Sequence, residues 1–238
     1  MPTKSPLIIT LDGPAGSGKS TLARQLAKRL HLAFLDTGSM YRAVALAAMG
    51  RGISPAKQPD AAASLAAEIR LDFDFSQDPP LLLLGDVPVG DRIRDADVTA
   101  LTSVVAGIPG VRAACVAAQQ RIGKENPRLV TEGRDQGSVV FPGAAVKFWI
   151  EADAMERAKR RAAQLRAMGK AADEVEIFAA IHARDHQDAT RASSPMVRPQ
   201  GAIEVDTTHL TEIEALDLLA FYVRTGMRHV RLQRKGCP

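Results

Sequence analysis

The octapeptide Gly13-Pro14-Ala15-Gly16-Ser17-Gly18-Lys19-Ser20 follows the apolar run LIITL and leads into TLARQLAKRL. Gly13, Gly18, Lys19 and Ser20 satisfy the GxxxxGK[ST] pattern between a predicted strand and a predicted helix, the setting this loop requires. Its glycines let the chain wrap until backbone N–H groups and the helix N-terminus face a phosphate chain. Lys19 then reaches the β and γ oxygens, and Ser20 offers a hydroxyl to Mg²⁺. The expectation is an α/β protein of the P-loop NTPase type, with Gly13, Pro14, Ala15, Gly16, Ser17, Gly18, Lys19, Ser20 and Thr21 as ATP contacts.

Five short aliphatic segments read as buried parallel strands: Leu7 to Leu11, Ala33 to Leu35, Arg128 to Thr131, Ala145 to Ile150 and Ala202 to Val205. Helical periodicity after most of them makes the pattern a repeated βα unit, with helices on both faces and ligands at the carboxyl ends of the strands. Four of those ends carry GPAGSGKS, DTGSMYR, EGRDQG and DTTHL. The alanine-rich stretch 43–67 reads as helical. From about 65 to 104, short strand segments alternate with turn-forming residues, which predicts a small β-rich insert between two parts of a core, 1–64 and 105–238.

A 238-residue chain with 46% hydrophobic and 24% charged residues is an ordinary globular composition, long enough for a substantial core. A net charge of +4 suits either nucleic acid or small anions, and 4% aromatic content disfavours a base-stacking surface. Cys115 and Cys237 match no metal or disulfide spacing. No apolar run approaches membrane-spanning length and the N-terminus lacks a signal-peptide pattern, so a cytoplasmic protein with neither membrane nor nucleic-acid partner is expected, a monomer by default.

A P-loop leaves the reaction open. The guanine-reading NKxD motif is absent, which weighs against a GTPase. Arg42 follows the second strand and Arg134 the third; Arg184, Asp188 and Arg191 fall at i, i+4 and i+7, the spacing of one helix face. Arg157, Arg160 and Arg161 cluster in ERAKRR. These are more arginine forks than one triphosphate requires, which implies a second phosphate-bearing substrate. A phosphate monoester is largely dianionic at neutral pH and needs no general base, only positioning and charge neutralisation. An alcohol acceptor would want a carboxylate, for which Asp36 or Asp135 could serve.

The segments IITLDGPAGSGKST, FLDTGSMYR, SVVAGIPGVR, LVTEGRDQGSVVFP, ERAKRR, RDHQDATRASSP and AIEVDTT, in this order, resemble bacterial cytidylate kinases, the CMP kinase branch of the nucleoside monophosphate kinases. The resemblance implies Mg²⁺-dependent phosphoryl transfer from ATP to CMP or dCMP on a parallel five-stranded core. It implies a helical lid at about 152–170 and makes the β-rich insert a monophosphate-binding unit. It also implies that Lys19, Arg134, Arg157, Arg160, Arg161 and Arg191 act on the transferring phosphate. Asp36, Thr37, Tyr41, Arg42, Arg134, Arg184, Asp188 and Arg191 would hold CMP, with Ser103, Arg112 and Asp135 at the base edge.

Ser39, Asp95, Gln136 and Gly143 depart from the family's usual residues, and Gln136 adjoins the base-reading Asp135. Kinases for UMP, AMP or a small alcohol, and a nucleic-acid-binding ATPase, are the competing readings.

Overall fold

The computed structural model describes residues 5–226; Cys237 lies outside them. In chain order the elements are β1 (Leu7–Asp12), α1 (Lys19–Leu30), β2 (Ala33–Asp36), α2 (Thr37–Gly50), α3 (Pro59–Glu68), β3 (Leu71–Asp74), β4 (Leu81–Leu84), β5 (Val87–Pro88), α4 (Ala96–Gly107), α5 (Pro109–Glu125), β6 (Arg128–Gly133), β7 (Val146–Glu151), α6 (Ala154–Ala167), α7 (Glu174–Thr190), β8 (Ile203–Asp206) and α8 (Glu212–Thr225). The five aliphatic segments form one parallel sheet in the order β2-β6-β1-β7-β8. The strand that feeds the P-loop is therefore central.

Alternation across the pleat sends side chains of the sheet to two cores. On one face Ile9, Leu11, Phe148 and Ile150 pack with Leu22 and Leu26 of α1 and Leu219 of α8. On the other, Leu35 and Leu129 pack with Met40 and Val44 of α2 and with Val111, Cys115 and Ile122 of α5. The register brings the carboxyl ends together: Asp36 lies opposite Glu132, Asp12 opposite Gly133 and Glu151 opposite Asp206. One edge of the sheet thus carries a row of carboxylates.

The β-rich prediction holds for β3, β4 and β5, which form a three-stranded antiparallel sheet. It fails at both ends. Leu65–Glu68 belongs to α3, and residues from Ala96 onward form α4. Val98, Thr102 and Val105 of α4 are buried at i, i+4 and i+7, a helical period. The alanine-rich stretch is two helices rather than one, because Gly52 takes a left-handed φ of 66° in the turn before Pro59 opens α3.

Cys115 is 1% exposed on α5, and burial pushes its thiol up to about 12. At pH 8 it is a protonated, inaccessible side chain. Native protein treated with iodoacetamide should leave the Cys115 peptide unmodified by mass spectrometry, and denaturation should make it fully reactive; rapid native labelling would contradict this packing. Among the described residues no single helix is long and apolar enough to cross a membrane.

Candidate active site

Gly13 has φ 152°, and a Cβ placed there would stand 1.9 Å from the Ile150 carbonyl oxygen of β7. Only glycine lets the loop pass that strand. Gly18 is the left-handed N-cap of α1 (φ 86°), which turns the chain so that the helix N-terminus faces the loop's hollow. Ser17 Oγ is buried there without a partner.

Lys19 is 5% exposed, and its Nζ donates to the Pro14 carbonyl at 2.9 Å, across the loop. Burial foremost, then the neighbouring Arg134 guanidinium, brings Lys19 down from 10.5 to about 7; Glu132 opposes and Arg184 reinforces. Arg184 is itself brought to about 10 by burial and by Arg134, with Arg42 adding to the effect. Arg42, from DTGSMYR on α2, is lowered by burial and sits within the fields of Arg161 and Arg94. Its guanidinium donates to Thr99 Oγ1 at 2.6 Å and the Ile93 carbonyl at 3.3 Å. Lys19, Arg134, Arg184 and Arg42 thus form a continuous run of cations between the P-loop and α2.

A charge consequence follows for ligand binding. Near pH 8 the free protein holds Lys19 mostly neutral, and a bound polyphosphate would restore its ordinary affinity for a proton. Nucleotide binding at pH 8 should therefore take up close to one proton, read by calorimetry in buffers of different ionisation enthalpy. Uptake should vanish in Lys19→Met and shrink below pH 6, where Lys19 is already protonated. Uptake that is the same in Lys19→Met as in the wild type would assign the proton elsewhere.

Ser20 Oγ donates to Glu132 Oε1 at 2.9 Å. Thr21 occupies the exposed first turn of α1. Asp36 caps α2 by accepting from Ser39 N at 3.1 Å, and Thr37 Oγ1 donates to the Glu132 carbonyl at 2.7 Å. Burial, followed by the neighbouring Glu132 carboxylate, raises Asp36 to about 6.

A second constellation lies at the ends of β6 and α7. Asp135 and Arg112 form a buried ion pair, and Arg112 lies over the Tyr41 ring at 5.3 Å. Arg191 NH2 stands 4.0 Å from the same carboxylate. Arg191 NH2, Arg112 Nε and Tyr41 OH are all buried without hydrogen-bond partners. A native protein rarely leaves such donors unsatisfied, so their convergence marks a place for a polar ligand. Beside it is a cavity of about 250 Å³ lined by Ser103, Ala106, Asp188 and Arg191, among others.

The helix-face prediction for Arg184, Asp188 and Arg191 needs correction. α7 ends at Thr190, and Arg191 is its extended C-cap (ψ 143°); Pro195 has no N–H to return to the Arg191 carbonyl, and its ring would clash with it in a continued helix. Arg191 nonetheless reaches Asp188 Oδ1 at 3.1 Å, while Arg134 Nε donates to Asp188 Oδ2 at 2.9 Å. Arg191 Nε is held by the Ser194 carbonyl at 2.6 Å, and Ser194 adopts φ 50°. Asp188 therefore joins two arginines that sequence spacing alone could not align.

The ERAKRR arginines divide. Arg157 is buried, donating to the Ala15 carbonyl at 2.7 Å and pairing with Asp185. Arg160 donates to the Thr207 carbonyl at 2.6 Å. Arg161 is exposed and bonds Gln164 at 3.4 Å. Arg157 thereby fastens α6 to the P-loop, and Asp185 completes the clasp by accepting from Ala15 N at 2.8 Å.

Asp185, Glu132, Asp12 and Thr99 were not singled out from the sequence. The first three lie inside the motifs RDHQDATR, TEGRD and ITLDGPAG, so adjacency to an arginine or glycine of interest was their only signal. Asp12 is fully buried and accepts from the backbone N–H of Gln136 and Gly137, both at 2.7 Å. Burial raises it to about 7 in spite of those two bonds.

A phosphate-cradling loop at the end of a central parallel strand, beside a run of cations and a buried polar pocket, defines a P-loop phosphotransferase. Residues 9–225 match the cytidylate kinase family model. Curated relatives named cytidylate kinase include that of Mycobacterium avium, 41% identical over 92% of this chain and 95% of that protein. Those of Rhodococcus jostii (42%, covering 93% and 97%) and Maridesulfovibrio salexigens (45%, covering 91% and 96%) are similar. A crystal structure of an uncharacterised protein from Eubacterium ventriosum shares the fold at a TM-score of 0.51 and 12% identity, covering 93% of this chain and 99% of that one. The chain belongs to the cytidylate kinase family.

Proposed function

We propose that this protein transfers the γ-phosphoryl group of ATP directly to CMP, and to dCMP, at the site bounded by the P-loop, α2 and the end of α7. The observation that carries the assignment is the run of cations from Lys19 through Arg134 and Arg184 to Arg42, which opens onto the unpartnered donors around Asp135. Like charges gathered at this density need anions between them, and two nucleotide phosphates meeting in line supply them.

ATP lies with its phosphates in the P-loop, while Arg42 and Arg134 hold the acceptor phosphate. The acceptor is a dianion, so no residue has to remove a proton. Asp36, engaged as a helix cap, and Asp135, engaged with Arg112, are then not needed as bases. Lys19, Arg134 and Arg191 neutralise charge on the transferring group, while α6, fastened to the P-loop by Arg157 and carrying Arg160 and Arg161, covers the donor as a lid that excludes water. The small sheet with α4 frames the monophosphate side. Cytosine presents its amino group to the Asp135 carboxylate, with Arg112 and Ser103 toward its acceptor atoms; uracil would set a carbonyl against Asp135.

Mg²⁺ fits the donor loop. The Ser20 hydroxyl and the Glu132 carboxylate it bonds are hard oxygen donors at the phosphate mouth. Ser20 would hold the ion directly and Glu132 would orient that hydroxyl. When bound, the ion would supply charge neutralisation on the donor phosphates.

A coupled ADP-release assay across CMP, dCMP, UMP, AMP and shikimate tests the reading. Turnover should require an acceptor and favour the two cytidylates. Preference for any other acceptor would overturn it, as would acceptor-independent turnover accompanied by salt-sensitive oligonucleotide binding.

A further inference from the structure

Behind the base pocket lies a buried polar chain that the phosphoryl-transfer machinery does not use. Gln136 is 1% exposed, and both ends of its amide are engaged. Its Oε1 accepts from Thr131 Oγ1 at 2.9 Å, and its Nε2 donates to Gln119 Oε1 at 3.1 Å and reaches Asp135 Oδ1 at 3.5 Å. The chain is tightly enclosed: a Cβ added at Gly133 would come within 2.9 Å of the Gln136 side chain. A backbone bond from Gln136 N to Asp12 fixes the start of the side chain. Because Thr131 donates to Oε1, the amide nitrogen is the end turned toward Asp135 and Gln119.

Asp135 Oδ2 belongs to Arg112, whereas among the described residues the side-chain donor to Oδ1 is the Gln136 amide. A competitor waits nearby: Arg191 NH2 is buried without a hydrogen bond and only loosely paired, 4.0 Å from Oδ2. A carboxylate free to rotate would turn onto that guanidinium, because a charge-assisted bond to an orphaned buried donor is strongly favoured. Its acceptor face would then be spent on arginine instead of on a base.

We infer that Gln136 is a specificity-determining positioning residue: its amide, oriented by the Thr131 hydroxyl, holds the Asp135 carboxylate plane so that Oδ1 stays presented to the amino group of the acceptor base. This deepens the proposed function and rests on Asp135 reading that base. Gln136 touches neither nucleotide; it acts through Asp135.

The test compares two substitutions in the same buried chain. Gln136→Leu removes the contact to Asp135, whereas Gln119→Leu disturbs the same core but leaves Gln136 on Thr131 and Asp135. The readout is the ratio of kcat/KM for CMP to that for UMP, with melting temperature alongside. Gln136→Leu should lower the ratio about tenfold, the lower range for one hydrogen bond to a charged group, chiefly through KM for CMP. Gln119→Leu should keep the ratio within about twofold, however much stability it loses. Gln136→Met, unbranched and without the amide, should reproduce the loss if the leucine variant fails to fold. An equal fall in both variants would make the chain merely structural and overturn the inference, as would an unchanged ratio in Gln136→Leu and Gln136→Met. A wild-type enzyme indifferent to CMP over UMP would instead defeat the underlying reading of Asp135.

Discussion

Lys19→Met should lower turnover by about a hundredfold to a thousandfold while leaving the protein folded. The ammonium is the one P-loop charge that reaches the donor's outer phosphates, and removing one preorganised donor to a transition state costs about 3–4 kcal/mol. Methionine keeps the buried stem and discards only the charge. The stability effect carries its own sign. Folding brings Lys19 from 10.5 to about 7, so between those values the unfolded chain binds the proton more tightly and the empty protein gains stability as pH rises. Below pH 7 the wild type bears the whole cost of a buried charge, and above about 10.5 it bears none. Lys19→Met should accordingly melt above the wild type at pH 6, with a gap that closes toward pH 10. A variant that melts lower at pH 6 would mean Lys19 supports the loop rather than straining it.

Asp135→Ala should damage both stability and selectivity. Its partner Arg112 has a side chain only 2% exposed, and stripping one member from a buried ion pair leaves an uncompensated charge worth about 3–5 kcal/mol. For a domain of this size that is a fall in melting temperature of roughly 6–20 °C. Tyr41 beneath Arg112 and the nearby Arg191 would share the disturbance. Asp135→Asn separates the two effects. The amide keeps the shape, and its NH2 can turn toward a uracil carbonyl, so KM for CMP should rise and the gap between CMP and UMP should narrow or reverse. Unfolding by denaturant and kinetics with both acceptors measure these. An unchanged CMP/UMP ratio in Asp135→Asn would leave Asp135 a purely structural partner of Arg112.

Local chemistry and long-range chemistry were unequally legible. GPAGSGKS announces its own geometry because Gly13, Gly18 and Lys19 act within a few residues of each other. The five strands were equally plain, since each is a short aliphatic run. The far end of the β-rich insert was overrun because VPVGDRIRDADV reads as strand and turns, while the helical period of Val98, Thr102 and Val105 shows only in their burial. Arg191 was placed on a helix that stops one residue earlier, and it reaches Asp188 because the strained turn at Ser194 folds it back.

The sequence by itself determined the phosphate loop, the parallel α/β class and, through TEGRD and RDHQDATR, which arginines to look for beside the loop, because motif chemistry and hydrophobic period are properties of neighbouring residues. Only the tertiary structure decided which carboxylate each arginine meets. Asp185 holds Ala15 N from 170 residues away, Ser20 meets Glu132 across 112, and Asp12 reaches Gln136 across 124. Those partnerships follow from the strand order β2-β6-β1-β7-β8, which sets the loops side by side. Sheet order is a matter of how whole faces pack, and no spacing along the chain encodes it.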